Sequence, residues 1–516
     1  MRTALCVLCL GLAAAGQDFG RVTALQAPQG TQVFDVVYAD VNGDGLRDLV
    51  VSLSDWRRQG STRSLRVHLQ RKAEPPFHAE PDHVVDPADA VAYAVADVHA
   101  DPGAEIVLFG RAGVWAHRLQ APEKERTVKL IEAAFLWQLP DDHRAVAWEA
   151  GVLDWNGDGL QDLVIPEPDG YRLAAQVRDS EGARFPTSHL LRVPVGEQTE
   201  ATEPRTVRLR ARQLRDRVLL RLSSTESGTG RPLLEINDSV PAPQLRDWDG
   251  DGDLDLLATT ENRLFVWKQG AHGFGANADH SYPLPVVANR SRRLDVSYSA
   301  HAQDLNRDGR VDCVIFSGDL RSKHVRTQVQ IFVQGDEAAS PLFGAEGLPQ
   351  QLLLLAGFAG NPRLDDVNGD GYPDLLVGTI RPDLLDTLRA AARGRVDVEL
   401  FLFLNRKGRF KRKPDLTFKT SVDATGLRFK RPILMARFFA DLTGDGVREL
   451  LLRDEKASLK VFMTRVGKSG LTIHARPLWT LRIDERARVR LPPRRPGRPV
   501  PLLVLEREQV LYVRFE

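Results

Sequence analysis

Asp366-Val367-Asn368-Gly369-Asp370-Gly371-Tyr372-Pro373-Asp374 runs straight into Leu375-Leu376-Val377, and this stretch decides the fold. Oxygen-bearing side chains stand at positions one, three and five, glycine at six, and a carboxylate closes the loop at nine. Alternating oxygens on a tight turn are what a hard cation such as Ca2+ requires, and the glycine permits the backbone to bring them together. The apolar run that follows reads as a buried strand.

Four further copies share this frame: Asp40-Val41-Asn42-Gly43-Asp44-Gly45-Leu46-Arg47-Asp48, Asp154-Trp155-Asn156-Gly157-Asp158-Gly159-Leu160-Gln161-Asp162, Asp247-Trp248-Asp249-Gly250-Asp251-Gly252-Asp253-Leu254-Asp255 and Asp304-Leu305-Asn306-Arg307-Asp308-Gly309-Arg310-Val311-Asp312. A sixth copy, Asp441-Leu442-Thr443-Gly444-Asp445-Gly446-Val447-Arg448-Glu449, is weaker, because a hydroxyl replaces an amide and Glu449 reaches further. An EF-hand would need a bidentate Glu at position twelve on an exiting helix. Here position twelve is Val51, Ile165, Ala258, Ile315, Val377 or Leu452. The expected ligands are therefore the side chains at positions one, three, five and nine. The carbonyl of position seven adds a fifth, from Leu46, Leu160, Asp253, Arg310, Tyr372 and, in the weaker copy, Val447.

A related segment from Asp97 places His99, Asp101, Pro102 and Glu105 at the key positions. Imidazole is a poor Ca2+ ligand and Pro replaces the turn Gly, so this loop reads as a relic without an ion. Trp155 and Trp248, at position two, read as packing between repeats.

Nine-residue loops closed by a carboxylate and flanked by strands resemble the FG-GAP and VCBS repeats of integrin alpha-chain propellers and of many secreted bacterial proteins. The resemblance covers residues 17–516 and implies an all-β chain forming a single β-propeller of four-stranded blades. First aspartates at 40, 97, 154, 247, 304, 366 and 441 give steps of 57, 57, 93, 57, 62 and 75 residues, and about 57 residues hold four short strands. Each unit shows an apolar stretch before the loop (Val33 to Tyr38), an exit strand (Leu49 to Leu53), a third strand (Leu65 to Gln70) and a turn ending in Phe. That Phe recurs as Phe77, Phe185, Phe274, Phe343 and Phe410.

The long steps contain insertions near 200–232 and 381–395: two alternating runs within Thr206 to Leu222, read as an inserted hairpin with a decayed extra blade as the alternative, and a short helix from Asp383 to Arg393. After the loop at 441, Glu449 to Arg453, Leu459 to Thr464 and Thr472 to Ile483 complete one blade. Pro501 to Leu505 and Val510 to Phe515 begin another, whose loop (Pro493 to Pro501) lacks acidic ligands. Since this blade stops one strand short, Arg21 to Gln26 should lie beside Val510 to Phe515 and close the ring. Eight blades result, with seven as the alternative.

Residues 1–16 read as a secretory signal: Arg2, an apolar segment from Ala4 to Ala15, and small residues at the cleavage site. The expected location is secreted, periplasmic or cell-surface, without a transmembrane segment. Beyond the signal one cysteine remains, Cys313, in place of an exit-strand Leu, so no internal disulfide is available. A net charge of +1 gives no bias toward nucleic acid. The basic stretches Arg406 to Lys413 and Arg482 to Arg498 read as solvated turns and outer strands. No GxSxG, HExxH or phosphate-binding Gly loop occurs, and catalytic and organic-cofactor residues are none. These features predict a monomeric, Ca2+-stabilised binding or adhesion module with five ion sites and a weaker sixth, and with a glycan or protein partner. The alternatives are a propeller-based polysaccharide lyase and a structural envelope component.

Overall fold

In the computed structural model, eight four-stranded antiparallel blades follow one another along the chain. The structure describes residues 19–54, 63–87, 90–110, 112–133, 146–148, 151–167, 170–179, 182–186, 188–192, 208–214, 217–223, 235–241, 243–259, 263–270, 273–284, 296–319, 326–335, 348–380, 395–423, 437–438, 441–453, 458–467, 470–484, 487–492 and 499–515. Blade I uses Gln32–Ala39, Asp48–Ser54, Arg63–His68 and His83–Val85, and blade II uses Ala92–Ala96, Glu105–Gly110, Gly113–His117 and Thr127–Ile131. The second strands of blades III to VII are Asp162–Glu167, Asp255–Thr259, Asp312–Asp319, Asp374–Ile380 and Leu450–Arg453, so each begins at the end of an acidic loop or one residue beyond.

Both faces of a blade are covered by its neighbours, which is why these second strands are apolar without alternation. Asp48–Ser54 and Asp162–Glu167 are buried at every residue. The cores lie between blades. Val37, Val50 and Val67 of blade I pack on Tyr93, Ile106 and Leu108 of blade II. Trp155 packs on Phe274 of the next blade with ring centroids 5.7 Å apart, and Trp248 joins Val311, Cys313 and Phe332 of blade V. Phe77, Phe185, Phe274 and Phe410 are all buried, whereas Phe343 lies outside the described residues. Burial, then the neighbouring Asp312 charge, pushes the Cys313 thiol up to about 12, as suits a small core residue.

Blade VIII consists of Arg488–Arg490, Leu502–Leu505, Gln509–Phe515 and Gly20–Gln26. The N-terminal strand is antiparallel to the last, in register from Gly20 opposite Phe515 to Gln26 opposite Gln509. Eight blades closed by the N-terminal strand is thus the observed count.

Several additions were not anticipated. Val146–Ala147 joins blade II in parallel beside Ala92–Tyr93. The long insertion forms a separate three-stranded sheet, Arg208–Leu214, Arg217–Ser223 and Glu235–Pro241, extending the expected hairpin by one strand. The single strand expected from Thr472 to Ile483 is divided: Gly470–Ile473 turns back on Thr464–Gly467, and Trp479–Arg482 completes blade VII. The helix expected from Asp383 to Arg393 lies outside the described residues, as do residues 1–16. The described helical residues are the 3-10 turn Glu123–Glu125 and Gly151, and among the described residues no helix is long and apolar enough to cross a membrane.

Candidate metal centres

The acidic loops share one hydrogen-bonding plan. In blade I the Asp40 carboxylate accepts the N–H groups of Gly43 and Gly45 at 2.7 and 2.8 Å. Asn42 Oδ1 accepts from Asp44 N–H at 3.1 Å, and Asp44 Oδ1 accepts from Leu46 N–H at 2.8 Å. The bonds recur in the loops of Asp154-Asn156-Asp158, Asp304-Asn306-Asp308 and Asp366-Asn368-Asp370. They fix each side chain before any ion arrives. Gly43 cannot be replaced, because its φ is +77° and the Pro102–Gly103 backbone of the next loop would lie 2.9 Å from an added Cβ.

The residues fit a hard cation. In blade IV the carboxylate oxygens of Asp247, Asp249 and Asp255 lie within 4.8 Å of one another. Asp249 Oδ1 is buried there without a hydrogen-bond partner among the described residues, while its other oxygen pairs with Lys268. An all-oxygen donor set selects Ca2+ or Mg2+ over softer metals, and irregular geometry on flexible carboxylates favours Ca2+.

Position nine does double duty. Asp48 Oδ2 accepts from Val41 N–H at 2.9 Å inside the loop, and Oδ1 accepts from Gln70 N–H at 2.8 Å after the third strand. Asp162, Asp255, Asp312 and Asp374 repeat this through the N–H groups of Gln176, Gln269, Gln334 and Asn405. All are buried, and burial, reinforced by nearby loop carboxylates, pushes the carboxyl of Asp48 up to about 6 and those of Asp162, Asp312 and Asp374 to about 7; Asp255 moves the same way. Each oxygen retains a lone pair for an ion.

The partner amides were missed in the sequence, although every clean repeat carries one after its third strand. Their side chains tie adjacent blades together: Gln269 Nε2 donates to the Asn156 carbonyl at 3.1 Å, and Asn405 Nδ2 to the Leu305 carbonyl at 2.8 Å. Backbone bonds do the same elsewhere, from Ala104 to Asp40, Arg448 to Val367 and Val500 to Asp441. Because each loop leaves the first strand of its blade, the described loops lie on one face of the propeller.

Two loops depart from the plan. In blade VII Thr443 Oγ1 lies 3.4 and 3.3 Å from Asp441 and Glu449, and burial raises the Glu449 carboxyl to about 7. In blade II the Arg118 guanidinium binds both oxygens of Asp101, at 2.5 and 2.9 Å, and holds its carboxyl below the usual range. Arg178 of blade III pairs with Asp97. Donor atoms of His99, Asp101 and Glu105 still approach within 4.8 Å, but two arginines already supply positive charge there.

Comparison with known proteins agrees with this architecture. Residues 247–315, spanning the loops of blades IV and V, match the FG-GAP-like repeat family. The chain is an eight-bladed β-propeller that carries an FG-GAP-like repeat at residues 247–315. Among solved structures, an Agrocybe aegerita lectin that recognises non-reducing terminal N-acetylglucosamine is 16% identical, with a TM-score of 0.38 over 88% of this chain and 93% of the lectin. That likeness is too loose to carry an argument. No curated protein sequence matches the chain.

Proposed function

We propose that this protein is an exported, calcium-stabilised propeller that acts as a binding module for a glycan or protein partner. The observation that carries the reading is the set of preorganised oxygen cages in blades I, III, IV, V and VI, with a weaker one in blade VII, on the face from which binding surfaces of propellers project. Five cages use the side chains at positions one, three, five and nine with the carbonyl at seven, and the Asp441 loop forms a weaker sixth. Weak calcium sites suit an extracellular compartment, and the apolar segment Ala4 to Ala15 after Arg2 supports export.

The residues themselves position oxygens and exclude wrong geometries; a bound ion would neutralise carboxylates that otherwise repel one another. Calorimetry on chelator-treated protein should show Ca2+ uptake at about five sites. No uptake would overturn the calcium reading. A glycan and protein array with and without Ca2+ tests the binding role, which fails if neither class of ligand is retained.

A further inference from the structure

Two non-glycine residues among those described adopt left-handed backbone, Arg307 at φ 61° and Lys407 at φ 54°. Both are cations. Arg307 occupies position four of the blade V loop, where the other clean loops all have glycine, and Lys407 sits in the turn joining the third and fourth strands of blade VI. An L side chain in this conformation is strained, and such outliers gather where a side chain has work to do.

The two positions are neighbours. Gly408 packs against Asn306 so closely that an added Cβ would sit 3.1 Å from the Asn306 Cβ, and Asn405 bonds the Leu305 carbonyl. Arg307 reaches across to blade VI, its guanidinium 5.6 Å from the centroid of the half-buried Tyr372 ring. The supporting turn is rigid. Phe410 is buried, its N–H and carbonyl are both held by Gln351, and Gly408 N–H donates to Asn405 Oδ1.

Among the described residues, Asp415 is the carboxylate that pairs with the stretch Arg406 to Lys413, taking Arg406 and Lys411. Arg307, Lys407 and Arg409 are exposed, and none is ion-paired with a described residue. We propose that this corner, Arg307, Lys407 and Arg409 beside Tyr372, is a binding site for an acidic glycan chain bearing carboxylates or sulfates. It names the ligand class of the binding module proposed above and rests on that reading.

Charge complementarity gives the anion, and the surroundings give its shape. The three cations stand on two adjoining loop tips, a patch of a few residues rather than the broad basic surface that a membrane or a nucleic-acid duplex requires. A single narrow chain fits it. Cations on fixed backbone suit anionic groups held at fixed spacing by sugar rings, and the Tyr372 ring offers a sugar an apolar wall.

The test uses calcium-loaded full chain with heparin-type sulfated and polyuronate oligosaccharides, neutral oligosaccharides, poly-glutamate, single-stranded DNA and anionic vesicles. The expected result is salt-sensitive binding of an acidic oligosaccharide that falls at least tenfold in Arg307→Gly/Lys407→Gly, with no loss in melting temperature because glycine accepts both conformations. Arg409→Gln should weaken it further. Unchanged acidic-glycan binding in the double variant would overturn the site, as would selective binding of poly-glutamate, DNA or vesicles. Binding of neutral glycans or a protein without acidic glycans would overturn this inference but leave the binding-module reading standing; retention of no ligand at all would remove both.

Discussion

The loops of blades I and II lie side by side, bonded from Ala104 to Asp40, yet they answer the same electrostatic problem in opposite ways. Blade I gathers Asp40, Asn42, Asp44 and Asp48 on one turn, with Arg47 placed over the Tyr38 ring, a set of oxygens suited to an external cation. Blade II closes Asp101 onto Arg118 and receives Arg178 on Asp97 from the next blade. The difference teaches that the backbone plan of the repeat needs positive charge near its centre and is indifferent to whether an ion or a side chain supplies it.

The largest effect should follow from removing the external charge everywhere at once. With a dissociation constant of ~0.1 mM, ~1 mM Ca2+ stabilises each site by roughly 1.4 kcal/mol, and five sites by about 7. At about 1 kcal/mol per degree of unfolding entropy for a chain this long, EDTA should lower the melting temperature by about 7 °C. An unchanged melting temperature would break the comparison at its base.

Arg118→Met removes the internal charge from a partly buried pair and should cost about 2 to 3 kcal/mol. The loss should be the same in EDTA and in Ca2+, measured by urea unfolding; a loss seen in EDTA but offset by Ca2+ would mean that blade II takes an ion once the arginine is gone.

Glu105 sharpens the contrast through pH. Burial holds its carboxyl near 7, against 4.5 when unfolded. Below about 4.5 both states are protonated and the contribution is neutral; as pH rises toward 7 the unfolded chain ionises first and the fold loses stability. Glu105→Gln, which keeps an acceptor for the Val98 and His99 N–H groups, should therefore gain about 1 to 2 kcal/mol at pH 8 relative to pH 5. A flat difference across that range would refute the assignment. The smallest effect belongs to Asp158→Ala, about 1.4 kcal/mol in Ca2+ and none in EDTA, with calorimetric stoichiometry reduced by about one.

Much of this was legible because it is local. The spacing of Asp366, Asn368, Asp370 and Asp374 declared a loop, the apolar run after it a buried strand, and the missing last strand the pairing of the two ends. What escaped depends on distance in space. Nothing around Arg118 or Arg178 marks them as charge donors to a loop seventeen or more residues away. Gln176 and Asn405 look like ordinary strand ends until the fold brings each to a buried carboxylate. The added strand Val146–Ala147 has no alternation to announce it, since two residues show no period. The left-handed backbone of Arg307 has no mark in the sequence, which does not display φ.

The seam between Gly20–Gln26 and Gln509–Phe515 also governs when the molecule becomes whole. A ribosome delivers the first of these strands ahead of blades I to VII and the second after them, so Gly20–Gln26 waits for its partner while those blades are made. Joining ends this far apart costs about 5 to 6 kcal/mol of loop entropy, recovered only when the last residues arrive. A chain ending before Gln509 would lack the partner of Gly20–Gln26 and leave both that strand and Leu502–Leu505 with an unpaired edge. The ring thereby acts as a check on synthesis: only a copy that reaches Phe515 can close.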